Sequence, residues 1–324
     1  MVSRMTSMNS PLQNKRVFAV VVTYNGEKWI RKCIRSLTES HYPVQIIVID
    51  NGSVDATVDI IKEEFVQVEL FDEKQNLGFG KATNKGMSKA LSMDANFLFL
   101  LNQDAWIEKN TISHLVDAFN MNQGYGIISP LHFAGSGFSL DAGFVNCLSK
   151  KYDKKMQAEF LGIPDDPMAN ELSFINAAAW LVSRECLEKV GGFNPLFYHY
   201  GEDADFVNRL KFNHLKIGFV TNCRIFHDRE LRDFSASFGT FKKLSWYYNV
   251  GLLVRLVDVN RFFVIAFTAS FFWSTKEIAS HFFKGRWHSP IGWLNIWSGT
   301  IVKLPLIFRN RKTIKSKRKF LFLN

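Results

Sequence analysis

Cysteine is scarce in this 324-residue chain: Cys33, Cys147, Cys186 and Cys223 lie far apart, and no two form a CxxC pair. That spacing argues against a disulfide framework or a cysteine zinc site and predicts a reducing compartment. Proline is scarce too, with 8 residues, while 47% of the chain is hydrophobic, which suits one large domain or one domain with an appendage. The opening MVSRMTSMNSPLQNKR has no apolar stretch, so it predicts no secretory signal, and residues 1–15 read as a disordered lead. The most informative absence is of acid, because no Asp or Glu follows Glu277. Ten cations do follow it: Lys284, Arg286, Lys303, Arg309, Arg311, Lys312, Lys315, Lys317, Arg318 and Lys319. They equal the whole net charge of +10. A neutral body with a basic end predicts a docking device; a nucleic-acid binder would carry its charge on a base-reading fold.

What is present is rhythm. VFAVVVTY (17–24), QIIVID (45–50), VQVELF (66–71) and FLFLL (97–101) are apolar runs of buried-strand length. Between them, residues 27–40 place Trp29, Ile30, Cys33, Ile34 and Leu37 at helical spacing. NGSVDATVDIIKEEF gives a turn and then a helix with Val58, Ile61 and Phe65 inward, and LGFGKATNKGMSKAL gives a glycine-rich loop entering a helix. Alternation at this pace predicts an α/β fold with a parallel, doubly wound sheet covered on both faces. A further helix is expected over about 111–122. Residues 131–173 lack periodicity and read as loops and short strands. FINAAAWLVS, the helix SRECLEKV and a last strand, IGFVTNCRIFH, restore order.

Ligands of such sheets sit beyond the carboxyl ends of the strands. Here those ends are Thr23-Tyr24-Asn25, Asp50-Asn51-Gly52-Ser53, Asn76-Leu77-Gly78 and Asn102-Gln103-Asp104, all polar or flexible and all expected on one rim. Asp104, pushed out by a buried strand, is placed to hold a divalent cation, since Mg²⁺ takes one or two carboxylates plus phosphate oxygens. Asp50 is placed to hold a base or ribose. Together they point to a nucleoside diphosphate with its metal.

The ordered set "VVVTYNGEKWIRKCIRSL", "VIDNGSVDAT", "NLGFGKATNKG", "LLNQDAWI", "AAAWLVSRECLEKVGGFNPLFYHYGEDADFVNRL" and "IFH" resembles the inverting glycosyltransferases of family 2, with the GT-A fold. The resemblance covers about residues 17–230. It is nearest to bacterial enzymes that add rhamnose and related sugars to lipid-linked surface polysaccharides. It implies a GT-A domain over 16–230, with a nucleotide-binding part (16–110) and an acceptor-binding part (111–230), followed by a C-terminal helical region (231–324). It implies that Thr23 and Asn25 border the nucleotide, Asp50 contacts base or ribose, and Ser53 and Asp55 share its signature turn. Asn76, Gly78 and Asn84 form the loop beside the nucleotide. Asn102 and Asp104 are the ends of the DxD-type motif, with Asp104 as ligand of Mg²⁺ or Mn²⁺, and Asp203 in "GEDAD" is the base. The implied donor is a dTDP- or UDP-sugar, and the implied acceptor is a lipid-linked saccharide at the cytoplasmic face of the inner membrane.

Plainer roles stand beside these. Asp104 and Asp203 both sit where a helix cap would. His227, at a strand end, is as well placed to be a buried histidine as to bind metal or diphosphate, and Trp180 reads as core. Asn102 replaces the usual first Asp of its motif, which leaves open a silent sugar-nucleotide binding or scaffold protein. At the C-terminus, Phe262–Phe267 and Phe271–Trp273 form aromatic stretches too short to span a bilayer. Ile291–Phe308 is interrupted by Asn295, Ser298 and Lys303, with Trp293 and Trp297 at interfacial spacing. These, with the seven cations of Arg309–Lys319, predict helices lying in the headgroup region; the alternative is a completed core or a homodimer interface.

Overall fold

The computed structural model describes residues 15–148, 150–152, 154, 156, 168–229, 241–283, 289–316 and 320–322. The lead before Lys15, most of 153–167, the junction at 230–240 and the cations Lys284, Arg286, Lys317, Arg318 and Lys319 lie outside them.

The first half is the expected alternation: β1 (Val17–Thr23), α1 (Ile30–Thr38), β2 (Val44–Asp50), α2 (Thr57–Glu64), β3 (Glu69–Asp72), α3 (Phe79–Ser92) and β4 (Phe97–Asn102). These four strands are parallel, with Thr23 opposite Asp50, Asp50 opposite Asp72 and Val22 opposite Asn102, so their carboxyl ends share one rim. Their side chains alternate between two cores, because a strand points successive residues to opposite faces. Phe18 and Val20 pack with Ala82, Met87 and Ala90 of α3, while Val17, Ala19 and Val21 pack with Ile30, Ile34 and Leu37 of α1.

The second half is mixed rather than parallel. It comprises β5 (Ala105–Ile107), α4 (Thr111–Met121), β6 (Tyr125–Ala134), α5 (Ala142–Val145), β7 (Asn170–Leu172), β8 (Ala179–Ser183), α6 (Arg184–Val190), α7 (Glu202–Phe212) and β9 (Lys216–His227). Among the described residues the sheet order is β3-β2-β1-β4-β8-β6-β9-β5, with β7 also paired to β9. β8 lies antiparallel to both β4 and β6, and β5 and β7 antiparallel to β9. The ten-residue β6 was hidden in the sequence because Pro130 and His132 break its apolar run. The structure accommodates Pro130 at a register shift between Ser129 and Leu131, the kind of irregularity at which a sheet tolerates proline.

Of the C-terminal helices α8 (Phe241–Val257), α9 (Phe263–Phe283), α10 (Ser289–Val302) and α11 (Leu304–Lys315), the first, second and fourth pack against the loop before α7, and α10 packs on α8 and α9. Phe197 of that loop joins Leu256 of α8 and Ile307 of α11 in one buried cluster. The side-chain amides of Asn194 and Asn310 bond each other, and Asn194 also donates to Asp205 of α7 at 3.1 Å. The chain's last described turn, Phe320–Phe322, places the Phe320 ring against the Arg209 guanidinium, and the Leu321 carbonyl accepts from Ser88. Trp293 and Trp297 correct the expectation of interfacial anchors. Trp297 is buried, and both indole N–H groups donate inward to Ser274 Oγ at 3.2 and 3.0 Å.

Gly86 is where α3 presses closest on the sheet: an added Cβ would fall well inside contact distance of Val20. Ala in a helix gains up to about 1 kcal/mol over Gly, whereas overpacking a core costs about 1–3 kcal/mol. Gly86→Ala should therefore destabilise the protein by about 1 kcal/mol, read as a lower urea midpoint at unchanged slope. A raised midpoint would show a looser helix–sheet contact than this one.

Candidate active site

The rim loops are held together by their own polar groups. Thr23, fully buried, donates to Gln103 Oε1 at 2.6 Å; the same oxygen accepts from the Tyr24 N–H, and Gln103 Nε2 donates back to the Tyr24 carbonyl. Gln103 thus ties the tip of β1 to the tip of β4. Asn25 adopts φ 47°, in the left-handed region that Asn tolerates better than most residues. Its N–H donates to Ser53 Oγ, and its side-chain oxygen accepts from the Val54 N–H. The loop after β3 is fixed through Asn76, whose side-chain oxygen accepts from Asn51 Nδ2 and the Gly78 N–H. Gly78 has φ 80° and abuts the Tyr198 carbonyl, so no side chain fits there, while the Tyr198 hydroxyl donates to Asn76.

Two expected nucleotide contacts are corrected by this geometry. Asp50 is fully buried, and both its oxygens are engaged by its own turn: Oδ2 accepts from the Gly52 and Ser53 N–H groups and Oδ1 from Ser53 Oγ at 2.5 Å. It shapes the loop that would meet a base and presents no surface to one. Asn84 points away from the rim, with its amide clamping the Phe193 backbone by donating to the carbonyl at 2.8 Å and accepting from the N–H at 2.7 Å. Asn102 ends β4 half-buried at the rim, its backbone N–H donating to the Ala178 carbonyl.

On the far side of β4, Asp104 and His227 are brought together. β5 pairs Ala105 with His227, and Asp104 Oδ1 lies 3.2 Å from His227 Nε2. Behind the imidazole, His227 Nδ1 lies 3.5 Å from Asp141 Oδ2. Burial disfavours the imidazolium, but the two carboxylates outweigh it and raise the His227 pKa to about 9. Burial likewise works to raise Asp104 and Asp141, and the contact with His227 reverses it, holding Asp104 below its ordinary range and Asp141 at about 2. Arg229, 42% exposed, faces the same group, with Nε 3.8 Å from Asp141.

Asp203 stands half-buried in the first turn of α7, its carboxylate accepting from the Ala204 N–H at 2.7 Å. Burial lifts its pKa above the ordinary carboxylate value. Neighbouring Glu202 is raised as well, to about 7, by burial and then by the Asp203 charge. The cap expected at Asp203 is corrected: the N-cap of α7 is Gly201, and Asp203 is the second residue of the helix. Trp180, fully buried and stacked on Phe193, belongs to the core.

A divalent cation fits Asp104 and His227 by donor type, one carboxylate oxygen and one imidazole nitrogen. Among the described residues no three acidic, histidine or cysteine side chains enclose a metal by themselves. A cation there would complete its shell with water and substrate oxygens, as Mg²⁺ commonly does. Gln103, Asp141 and Arg229 were not singled out by the sequence. Gln103 sat between two chosen residues, and Arg229 lies two positions past the last strand. Asp141 lies in an aperiodic stretch that gave no signal.

Residues 18–168 match the family described as Glycosyl transferase family 2, and residues 175–232 match the family described as N-terminal domain of galactosyltransferase. The glycosyltransferase GlyA of Streptococcus pneumoniae is 32% identical over 108 residues, which are 32% of this chain and 15% of GlyA. An N-acetylglucosaminyl-diphospho-decaprenol L-rhamnosyltransferase of Mycobacterium tuberculosis is 25% identical over 235 residues, 65% of this chain and 75% of that protein. Among solved structures, Staphylococcus aureus TarS 1-349 in complex with UDP-GlcNAc superposes with a TM-score of 0.59 at 14% identity, covering 94% of this chain and 88% of that one. The Pyrobaculum calidifontis mannosyltransferase PcManGT with GDP-Man and Mn²⁺ gives 0.52 at 14% identity, covering 94% and 86%. The fold is therefore GT-A.

The Asp104–His227–Asp141 group predicts a pH dependence of stability. In EDTA, the contribution of His227 is complete below its ordinary 6.5 and is lost as pH rises through about 9. That of Asp141 is complete above 3.8 and is lost as pH falls through about 2, and Asp104 runs in the same direction. The plateau lies between about pH 4 and 6.5. Replacing His227 by Gln should flatten the fall in Tm from pH 6.5 to 9; an unchanged fall would place the titrating group elsewhere.

Proposed function

We propose that this chain, which carries a glycosyl transferase family 2 domain, moves a sugar from a nucleoside-diphosphate donor to a hydroxyl of a lipid-linked saccharide, with inversion at the anomeric carbon. The observation that carries this reading is the reach of one guanidinium. The charge of Arg229 acts on Asp104, on Asp141 and on Asp203, which supports a reading in which the proposed cation ligand and the proposed base lie near one another.

The chemistry follows from that arrangement. Asp203, with its raised pKa, accepts the proton of the acceptor hydroxyl as that oxygen attacks the anomeric carbon. The new carbon–oxygen bond forms on the face opposite the breaking bond to the diphosphate, which inverts the configuration in one displacement. Arg229 offsets charge growing on the departing diphosphate, and the loops at Asn25–Ser53 and Asn76–Gly78 form the wall against the nucleotide. Mg²⁺ or Mn²⁺, held by Asp104 and His227, would add Lewis-acid stabilisation of the same charge. The PcManGT structure holds Mn²⁺ together with GDP-Man, which supports a divalent cation beside the donor. The rhamnosyltransferase likeness supports rhamnose as the sugar and an acceptor on a polyprenyl diphosphate; to these we add a dTDP or UDP carrier and work at the cytoplasmic face of the membrane as parts of the proposal.

The C-terminal helices support a membrane-surface role. Among the described residues no single helix is long and apolar enough to cross a bilayer; α10 and α11 together reach that length but are bent by 55°. Phe262 (81% exposed), Phe272 (71%) and Val302 (79%) stand out from α9, its start and α10, and Ile265, Leu294 and Phe308 are exposed with them. The cations Lys303, Arg309 and Lys312 are exposed on the same helices. Each such cation near an anionic leaflet contributes about 1 kcal/mol.

Asp203→Asn removes a base and little volume. It should lower kcat about a hundredfold or more while nucleotide affinity stays near wild type; a steady-state rate close to that of wild type would remove Asp203 from the role. The membrane surface is tested by flotation on anionic vesicles at low salt. The triple change Phe262→Ser, Ile265→Ser, Phe272→Ser should reduce recovery several-fold without loss of folding, since these side chains are exposed. Equal recovery would show that this face is not the anchor.

A further inference from the structure

We propose that Asp141 is a positioning residue for the cation site: it accepts the Nδ1 proton of His227 and so holds the imidazole in the tautomer whose Nε2 lone pair faces Asp104 and a bound divalent cation. The proposal rests on the reading of Asp104 and His227 as cation ligands.

The histidine is fixed before any ligand arrives. His227 is the last residue of β9, paired with Ala105 of β5 on one side and Ala134 of β6 on the other, so its backbone cannot turn. Its side chain is 2% exposed, and its Nδ1 is buried without a hydrogen bond among the described residues. A buried polar nitrogen of this kind is costly unless something draws it into a bond. An acceptor, Asp141 Oδ2, lies 3.5 Å from it.

Asp141 is held as firmly. Its N–H donates to the His132 carbonyl at 2.9 Å, and the preceding residue, Leu140, bridges to Phe133 of β6. Its Oδ1 caps α5 by accepting from the Phe144 N–H at 2.9 Å. Capping therefore accounts for one oxygen and leaves the other aimed at the imidazole. Arg229 also approaches Oδ2, at 3.8 Å, but it is half in solvent and longer than a hydrogen bond. A cation on Nε2 leaves the imidazole one ring proton, which must sit on Nδ1, where Asp141 Oδ2 is placed to receive it. Carboxylates in this position behind a ligating histidine typically govern metal affinity by about 10- to 100-fold.

The test is Mn²⁺ binding to the full chain, followed by electron paramagnetic resonance, first with Mn²⁺ alone and then with UDP present. Asp141→Ser keeps an oxygen for the α5 cap but withdraws the acceptor from Nδ1; Asp141→Asn keeps the volume and turns a donor toward the imidazole when its oxygen caps. Both should weaken Mn²⁺ binding about 10- to 100-fold in protein that still folds, with a lower melting temperature because the imidazolium loses one carboxylate partner. In a His227→Ala background neither change should weaken it further, which a merely structural role of Asp141 would not produce. Folded Asp141→Ser and Asp141→Asn proteins that bind Mn²⁺ within twofold of wild type would overturn the proposal alone. So would an equal loss in the His227→Ala background. Wild-type protein that binds no Mn²⁺ in either condition would overturn the cation reading and this inference with it.

Discussion

Parallel register is the constraint from which the site is built. Because Thr23, Asp50 and Asp72 stand side by side across β1, β2 and β3, and Asn102 stands beside Val22, each strand delivers its following loop to the same rim. A one-residue slip would exchange the two faces of every strand and put Phe18 and Val20 where Ala19 and Val21 belong. The two cores forbid that slip, since each is complete only in the observed register. Burial of the strands therefore fixes the polar tips to within a hydrogen bond of one another, and Gln103 completes the bond between β1 and β4.

The opposite wall depends on a different device, the antiparallel entry of β8 and β5 into the same sheet, with β6 and β9 parallel to each other between them. It carries His227 to Asp104 across a ladder, and it sets β6 beside β9 so that the segment after β6 places Asp141 behind the imidazole. The result is a cation-like imidazole between two carboxylates in a nearly dry place, where each charge needs the others. Such a cluster is stable only as a set.

The C-terminal helices are more than an attachment. Phe197, Asn194 and Asp205 bind α7 and its leading loop to α8 and α11, and Phe320 covers Arg209, the buried ion partner of Asp205 at 2.7 Å. The face these helices turn outward is apolar and basic, and the face they turn inward buttresses the helix that starts with Glu202 and Asp203. The exposed apolar and basic positions and the first turn of α7 are thus parts of one packed unit.

By itself the sequence determined the four parallel strands, the helices between them, the rim residues and the basic end. Those signals are local: periodicity, strand length and charge survive in a linear reading because neighbouring residues create them. It also led to Asp104, His227 and Asp203, each next to a strong local element. It led to Asp50 and Asn84 as ligand contacts, and there the tertiary structure decided otherwise, because burial and backbone partners engage both side chains inside the protein. It read Trp293 and Trp297 as membrane anchors from spacing alone, whereas helix packing turned both indoles to Ser274. Asp141 shows the limit most clearly. It stands 86 residues before His227 in a stretch without periodicity, and only the pairing of β6 with β9 makes them neighbours, since the contact is set by sheet topology, and no local pattern encodes it.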